Sequence, residues 1–204
     1  MGYLEEAGAE HPDPDGVFGV PLESIQRVDS SGIPLVVLAC TAVVEKYGID
    51  AVGIYRLSAS KTKVDELRKI LAVGHYDDIA TVEKWDINTI SCVFKQWLRE
   101  LPTPLCTFEQ FDAFTDLATR PSILGFKGLV ARLPPQHRVV LCHVLRHLKK
   151  IASRKQVNMM QESNLGAIFG PSLLRPDSTH SFQVSKQNTA VEFMIDHVSE
   201  IFGV

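Results

Sequence analysis

The chain lacks several features that would assign it to common functional classes. No apolar run in its 204 residues approaches the length of a membrane-spanning helix, and the N-terminus has no apolar signal region, so we expect no direct membrane insertion. The four cysteines include no Cys-x-x-Cys pair, and three lie in apolar helical patterns, which predicts reduced, buried thiols in the cytoplasm. A net charge of −3 gives no reason to expect nucleic-acid binding.

Motifs for nucleotide and metal chemistry are also missing. The chain has no Gly-x-x-x-x-Gly-Lys-Ser/Thr loop, so it is not expected to hold a nucleotide itself. His143 and His147 have an i, i+4 spacing that can bind zinc, but no glutamate adjoins His143 and no third ligand is evident. These histidines are more typical of an amphipathic helix, and a metal-dependent hydrolase is the remote alternative.

The length and patterning indicate one domain. Residues 1–16 are rich in Glu, Asp, Pro and Gly and predict a disordered tail or the edge of a fragment. Sustained apolar patterning covers residues 17–204 without a linker, and the chain is long enough for a core of its own. The polar tail suggests a piece of a longer, multidomain protein whose other domains recruit it to membranes.

Helical periodicity runs through nearly all of the patterned region, and no stretch alternates cleanly with a period of two. The sequence therefore predicts an all-α fold. Helices are expected from Pro34 to Gly48, around Val64 to Leu71, from Ile87 to Leu101, after a capping box at Thr107 and Gln110, after Pro134-Pro135, after an N-cap at Asn158, and through Val191 to Phe202.

Arg56 lies on a predicted loop, Gly-Ile-Tyr-Arg-Leu-Ser, between two apolar helices. Gly53 relaxes the backbone, and Ile54 and Tyr55 can anchor the loop beside the arginine. A long cation placed there can reach out of the domain to stabilise an oxyanion without covalent chemistry. Considered alone, an arginine in such a loop is more often a solvated surface residue, and the anchoring neighbours favour a function.

Lys95 and Arg99 are one helical turn apart, about 40° from each other around the helix axis. They lie opposite the predicted buried stripe. This positive patch could position the arginine loop through backbone carbonyls or meet an acidic partner, although as a lone pair it would be an ordinary solvated face.

Two asparagines complete the candidate set. Asn164 lies five residues before Phe169, and asparagine is unfavourable inside a helix, so either a function or a buried hydrogen bond is indicated. Asn188, at the start of the last predicted helix, could serve as an N-cap.

Together these segments resemble the Rho-GTPase-activating protein (RhoGAP) domain. Gly53–Ser58 is similar to its arginine-finger loop, Lys95–Leu105 to its Lys-x-x-x-Arg-Glu-Leu-Pro-x-Pro-Leu helix end, and Asn164–Leu174 to its Asn-Leu-Ala…Phe-Gly-Pro helix. The similarity extends from Phe18 to about Phe202. It implies a single-domain bundle of about nine helices, in agreement with the periodicity.

The resemblance also implies roles. Arg56 would be the finger supplied in trans to a Rho-family small GTPase in its GTP-bound state, and Lys95 and Arg99 would hold and orient the finger loop. Asn164 would contact the GTPase switch region or the finger, and Asn188 is a weaker contact candidate. The partner would bring GTP and Mg²⁺, so the chain is expected to be a monomeric activator without a cofactor of its own, rather than an enzyme.

Two positions depart from the family pattern. Ala59 replaces the usual glycine and would strain the loop by about 1 kcal/mol if its φ had to be positive. Gly166 replaces the usual alanine and should loosen its helix by a similar amount. The runner-up function is a binding module of the same fold that does not accelerate hydrolysis. Such members usually lack the finger arginine, whereas Arg56 is present.

Overall fold

The computed structural model describes residues 16–80, 85–178 and 181–204. Within these ranges the chain forms ten α-helices and no β-strand, apart from an isolated bridge between Val28 and Pro34. The all-α prediction is confirmed, with one helix more than the nine or so expected. The tail predicted for residues 1–16 lies outside the described residues, except for Gly16.

The helices follow one another with short connections. They are α1 (Leu35–Val43), α2 (Lys61–Ala72), α3 (Ile87–Glu100), α4 (Phe111–Leu117), α5 (Ile123–Ala131), α6 (Pro135–Ser153), α7 (Lys155–Asn158), α8 (Glu162–Leu173), α9 (Val184–Asp196) and α10 (Val198–Phe202). A π-helical turn, Val44–Gly48, extends α1, and 3₁₀ turns form at Leu22–Ser24 and Asp77–Ala80. No helix in the described ranges is long and apolar enough to cross a membrane.

Local sequence signals explain several helix ends. Pro34 precedes α1, and the helix continues through the π turn to Gly48, as predicted. A Cβ on Gly48 would lie 2.2 Å from Ile87 Cγ1, so a larger residue here would force the Ile87 side chain at the start of α3 to move. At the start of α3, the Asp86 side chain accepts a hydrogen bond from the Thr89 backbone N–H.

Some predicted helix boundaries are wrong. Thr107 does not cap α4: it has a positive φ of 55°, and the N-cap position is held by Gln110 without a side-chain hydrogen bond. The final predicted helix is two helices, interrupted at His197, where the ring packs 4.4 Å from that of Phe193. Asn158 ends α7 rather than starting α8. Helix α5, whose N-cap is Ser122, was not predicted.

One hydrophobic core extends from Val17 to Phe202. Helices α3, α6 and α8 meet in its centre, where the rings of Phe94 and Phe169 lie 6.2 Å apart. The N-terminal segment is fastened to this centre because the Trp97 indole N–H donates to the Val17 carbonyl at 2.8 Å. Through Tyr55, whose ring centroid lies 4.9 Å from that of Phe169, the loop that carries Arg56 packs against this same centre.

Candidate functional site

The loop from Gly53 to Ser58, here called the finger loop, has an unusual backbone. Gly53 and Tyr55 both have positive φ, 72° and 69°, and the N–H groups of Arg56 and Leu57 donate to the Gly53 carbonyl at 2.9 and 3.1 Å. A left-handed conformation is uncommon for a residue with an aromatic side chain and costs free energy. The loop is therefore a tight turn that other contacts must stabilise.

Tyr55 supplies the main anchor of the finger loop. Its side chain is fully buried, and the ring centroid lies 4.9 Å from that of Phe169 in an edge-to-face arrangement. The hydroxyl reaches α6, where its oxygen lies 2.6 Å from His147 Nε2. Burial raises the pKa of Tyr55, which keeps the phenol protonated. Tyr55, one of the residues expected to anchor the loop beside Arg56, thus does so through its ring contact with Phe169 and its hydrogen bond to His147.

Arg56 itself stays on the surface. The residue is exposed, and within the described parts of the chain its side chain makes no hydrogen bond and no ion pair. Its guanidinium lies back over the turn, with Nη2 3.5 Å from where a Cβ on Gly53 would be. A fixed loop thus presents an unpaired cation, the state in which an arginine is available to an external anion.

Lys95 holds the finger loop from α3. The half-buried side chain donates from Nζ to the Tyr55 carbonyl, the group directly before Arg56. Burial, with a smaller contribution from the charge of Arg99, lowers the pKa of Lys95. The structure therefore places this predicted site residue against the finger loop, through a backbone carbonyl as the sequence suggested.

Arg99 takes a different position. The residue is exposed, and Nε donates to Ser172 Oγ near the end of α8, at 3.3 Å. This bond joins α3 to α8, and no hydrogen bond of Arg99 reaches the finger loop. Lys95 and Arg99 share one side of α3, but of the two only Lys95 is hydrogen-bonded to the loop.

Asn164 lies in the first turn of α8, not in its middle as the sequence suggested. Its Oδ1 accepts a hydrogen bond from the Gln161 backbone N–H at 3.2 Å, so the residue helps to cap the helix. The side chain also lines a cavity of about 340 Å³ together with Lys155, Gln156 and Met159. This partial exposure leaves it accessible to a partner.

Asn188 does not cap a helix, because α9 starts at Val184 and Gln183 is its N-cap. The residue instead covers Gly166 and Gly170 of α8, and its buried Oδ1 has no hydrogen-bond partner among the residues that the structure describes. The structure thus assigns Asn188 to the contact between α8 and α9, away from the contacts that fix the finger loop.

Ala59 shows no sign of the strain considered for it. The residues other than glycine with positive φ in the described ranges are Tyr55, Thr107 and Met159, so the φ of Ala59 is negative. An alanine fits there without penalty, and the left-handed positions of the finger loop are Gly53 and Tyr55.

Two supports of the finger loop were missed by sequence reasoning. Buried Asn158 accepts a hydrogen bond from the Gly53 N–H on its carbonyl at 2.8 Å, while its side-chain Nδ2 donates to the carbonyls of Ile49 and Ile151, both at 2.8 Å. His147 is hydrogen-bonded through Nε2 to the Tyr55 hydroxyl. The sequence marked Asn158 only as a cap and His147 only as half of an i, i+4 pair.

The histidine pair is not a metal site here. His143 Nε2 is hydrogen-bonded to Thr41 Oγ1 at 2.9 Å, and His147 uses both ring nitrogens, on Tyr55 and on Glu45. In the part of the chain that the structure describes, no three His, Cys, Asp or Glu side chains are arranged to hold a metal ion. The alternative of a metal-dependent hydrolase therefore has no supporting geometry within the described ranges.

Comparison with proteins of known sequence places this arrangement in context. Rho GTPase-activating protein 15 of Gallus gallus is 35% identical over 198 residues, covering 93% of this chain and 41% of that protein. The probable Rho-type GTPase-activating protein 4 of Schizosaccharomyces pombe is 34% identical over 177 residues, covering 84% of this chain and 19% of that protein. The chain thus spans less than half the length of these relatives.

Solved structures of related proteins share the fold of this chain. Human Rho GTPase activating protein 15 superposes with a TM-score of 0.83 at 32% identity, over 93% of each chain. The BH domain from GRAF, the GTPase regulator associated with focal adhesion kinase, gives a TM-score of 0.75 at 31% identity, over 83% of this chain. The sequence profile of the RhoGAP domain matches residues 34–178, which is most of the chain. The chain therefore belongs to the RhoGAP domain family.

Proposed function

We propose that this domain stimulates GTP hydrolysis by a Rho-family small GTPase, binding its GTP-bound state and supplying Arg56 in trans. The observation that carries the proposal is the contrast between Arg56 and its loop. The side chain is exposed and has no partner in the described ranges, while Gly53 and Tyr55 on the same loop are held by Asn158, His147 and Lys95. Membership of the RhoGAP family and relatives named as Rho GTPase-activating proteins support the same function.

The chemistry belongs to the partner. Negative charge develops on the γ-phosphoryl oxygens and on the β–γ bridging oxygen as GTP is hydrolysed, and a guanidinium placed there stabilises it. An arginine supplied in this way accelerates hydrolysis by about 10³–10⁵, or roughly 4–7 kcal/mol of barrier. GTP and Mg²⁺ come with the GTPase, so this chain needs no cofactor of its own and acts as an activator.

The other site residues have supporting roles in this proposal. Lys95 positions Arg56 through the Tyr55 carbonyl. Arg99, which is exposed and close enough to Lys95 to lower its pKa, meets the GTPase surface or shifts to the loop on docking. Asn164, at the accessible start of α8, contacts the GTPase or the finger. Asn188 acts on the partner only through the way in which α9 packs on α8.

The test is phosphate release from a panel of GTP-loaded Rho-type and Ras-type GTPases at catalytic amounts of the domain. Wild-type protein should accelerate at least one Rho-type member and act little on Ras-type ones. Arg56→Ala should lose roughly two orders of magnitude or more of stimulated hydrolysis, because the guanidinium contributes mainly in the transition state. Arg120→Ala, at an exposed arginine between α4 and α5, is the matched control and should behave as wild type.

Binding measurements separate this mechanism from a module that only docks. Arg56→Ala should still bind the GTP-loaded GTPase, but its affinity for the GDP–aluminium fluoride complex, which mimics the transition state, should fall much further. Equal losses in both complexes would make Arg56 an ordinary interface contact. No stimulation by wild-type protein across the Rho-type panel would favour the binding module.

The cellular setting is a further part of the proposal, supported by the greater length of the relatives and by the state of the thiols. Because the chain spans only part of its relatives, we propose that other regions of a longer protein recruit this domain, itself a monomer, to membranes. All four cysteines are unpaired, and Cys40 and Cys106 are fully buried, which supports a reducing compartment such as the cytoplasm.

A further inference from the structure

A chain of hydrogen-bonded polar groups runs from beneath the finger loop to the protein surface. The Tyr55 hydroxyl is 2.6 Å from His147 Nε2, His147 Nδ1 is 2.9 Å from Glu45 Oε1, and Lys150 Nζ is 2.6 Å from Glu45 Oε2. We call Tyr55, His147, Glu45 and Lys150 the Tyr55 network. It starts in the fully buried centre of the domain and ends at the exposed Lys150 amine.

The direction of each hydrogen bond in the network is fixed. Although burial alone would raise the pKa of Glu45, hydrogen bonds from His147 and Lys150 lower it to about 2, so the carboxylate is a pure acceptor. His147 Nδ1 must therefore carry a proton. Burial lowers the pKa of His147, which keeps the ring neutral and leaves Nε2 free to accept from the protonated Tyr55 hydroxyl. With these protonation states, each hydrogen bond of the network has one donor and one acceptor.

This fixed chain acts on a strained residue. Tyr55 has a φ of 69°, which an aromatic residue keeps only when its surroundings enforce it. The network holds the far end of its side chain, and Lys95 holds its carbonyl from α3. A return of Tyr55 to negative φ would turn the peptide between Tyr55 and Arg56 and with it the direction in which Arg56 leaves the loop.

We propose that His147, oriented by Glu45, is a positioning residue for Arg56: it keeps Tyr55 in its left-handed conformation and so sets the direction of the arginine. The inference rests on the proposed function, because the arginine must enter a partner's site for its direction to matter. His147 does not touch the reacting groups. Its effect passes through the Tyr55 hydroxyl and the peptide that follows.

The structure contains a matched control. His143, one turn earlier on α6, makes a similar bond with a hydroxyl, that of Thr41, at 2.9 Å. Thr41 is buried in α1 and does not belong to the finger loop. Tyr55→Phe and Thr41→Val each delete one hydroxyl that pairs with a histidine of α6, but only the first deletion touches the finger loop.

Stimulated hydrolysis should separate the two variants. Tyr55→Phe should reduce the maximal rate at saturating domain by about 5- to 50-fold, since small misplacements of a catalytic group are costly, and should weaken GDP–aluminium fluoride complexes by a similar factor. Binding to the GTP-loaded GTPase should stay within about twofold of wild type, because the docking surface is intact. His147→Ala should match Tyr55→Phe, and Thr41→Val should match wild type. Equal rates for Tyr55→Phe and Thr41→Val would overturn the proposal.

Amide hydrogen exchange tests the loop without any GTPase. The N–H groups of Arg56 and Leu57 bond to the Gly53 carbonyl only while the turn is formed. Tyr55→Phe should speed their exchange by about tenfold, which is the expected consequence of freer local opening, and Thr41→Val should not. If wild-type protein stimulates no GTPase, the proposed function is wrong, but amide exchange still tests whether the Tyr55 network holds the finger loop. Unchanged exchange in Tyr55→Phe would refute the positioning role.

Discussion

Replacing Gly166 with alanine would test how closely α8 and α9 approach. A Cβ on Gly166 would lie 2.7 Å from the Asn188 carbonyl oxygen, 3.0 Å from Glu192 Cβ and 3.1 Å from Glu192 N. Two of these atoms belong to the α9 backbone and cannot yield by a change of side-chain rotamer. One turn later, a Cβ on Gly170 would meet Asn188 Oδ1 at 2.6 Å. The small residues let the two helices pack almost backbone to backbone.

The magnitude follows from two opposing terms. Alanine is about 1 kcal/mol better than glycine in a helix interior, and this is the gain expected from sequence alone, where Gly166 appeared only to loosen α8. Forcing a methyl group into a filled contact typically costs about 1–3 kcal/mol, and the rigid backbone on the α9 side favours the upper end. We therefore expect Gly166→Ala to lower the free energy of unfolding by a net amount of about 1–2 kcal/mol.

Chemical denaturation of the isolated domain measures this free energy. Gly128→Ala is the control, because Gly128 is exposed on α5 and a Cβ there would meet nothing within 4 Å. This variant should be stabilised by about 0.5–1 kcal/mol through helix propensity and a less flexible unfolded chain. If Gly166→Ala is stabilised as much as Gly128→Ala, the close contact between α8 and α9 does not constrain position 166 and the packing argument is wrong.

Three further predictions concern the finger-loop supports. Asn158→Ala should lower the free energy of unfolding by about 2–4 kcal/mol in denaturant titrations, because buried backbone groups of Ile49, Ile151 and Met160 lose their partners. Lys95→Met, which keeps the apolar stem but frees the Tyr55 carbonyl, should lower stimulated hydrolysis at least tenfold while changing stability by less than about 1 kcal/mol, whereas an unchanged rate would remove Lys95 from the site. Acid titration should show the free energy of unfolding falling as the pH drops below about 6.5, because the folded-state pKa of His147 lies below its ordinary value of 6.5. It should fall further from pH 4.5 towards 2, because the folded-state pKa of Glu45 lies below its ordinary value of 4.5. Glu45→Gln should flatten the lower part of that profile, and an unaltered profile would show that Glu45 does not contribute to it.

Helix α3 shows what local sequence predicts well. Its apolar stripe and the prolines after it predicted a helix from Ile87 to Leu101, and the structure has Ile87–Glu100. Both signals act within a few residues of the helix, so no knowledge of the rest of the chain was needed. The break at His197 had no such signal. The apolar period continues across it, and the interruption accompanies tertiary packing of the His197 ring on Phe193.

Within the candidate site, Arg56 could likewise be predicted from local sequence, whereas the residues that support its loop could not. An exposed Arg56 on a loop followed from Gly53 and the apolar neighbours, and Lys95 on the polar side of α3 followed from helical spacing. The two α6 histidines lie one turn apart on the same helix, yet His147 binds Tyr55, 92 positions away, and His143 binds Thr41, 102 positions away. Spacing along one helix cannot show which side chain each residue meets from another element.

The finger loop also explains why its supports had to be distant in sequence. The proposed function requires Arg56 to remain unpaired, so this side chain cannot stabilise the conformation of the loop. The short turn contains few other polar groups that could do so. The strained φ of Tyr55 must then be stabilised from outside, by Lys95 on α3 and His147 on α6, while Asn158 holds Gly53 after α7. Because Arg56 cannot stabilise its own loop, buried groups elsewhere in the fold must do so. Nothing in the sequence next to those groups indicates that they support the loop.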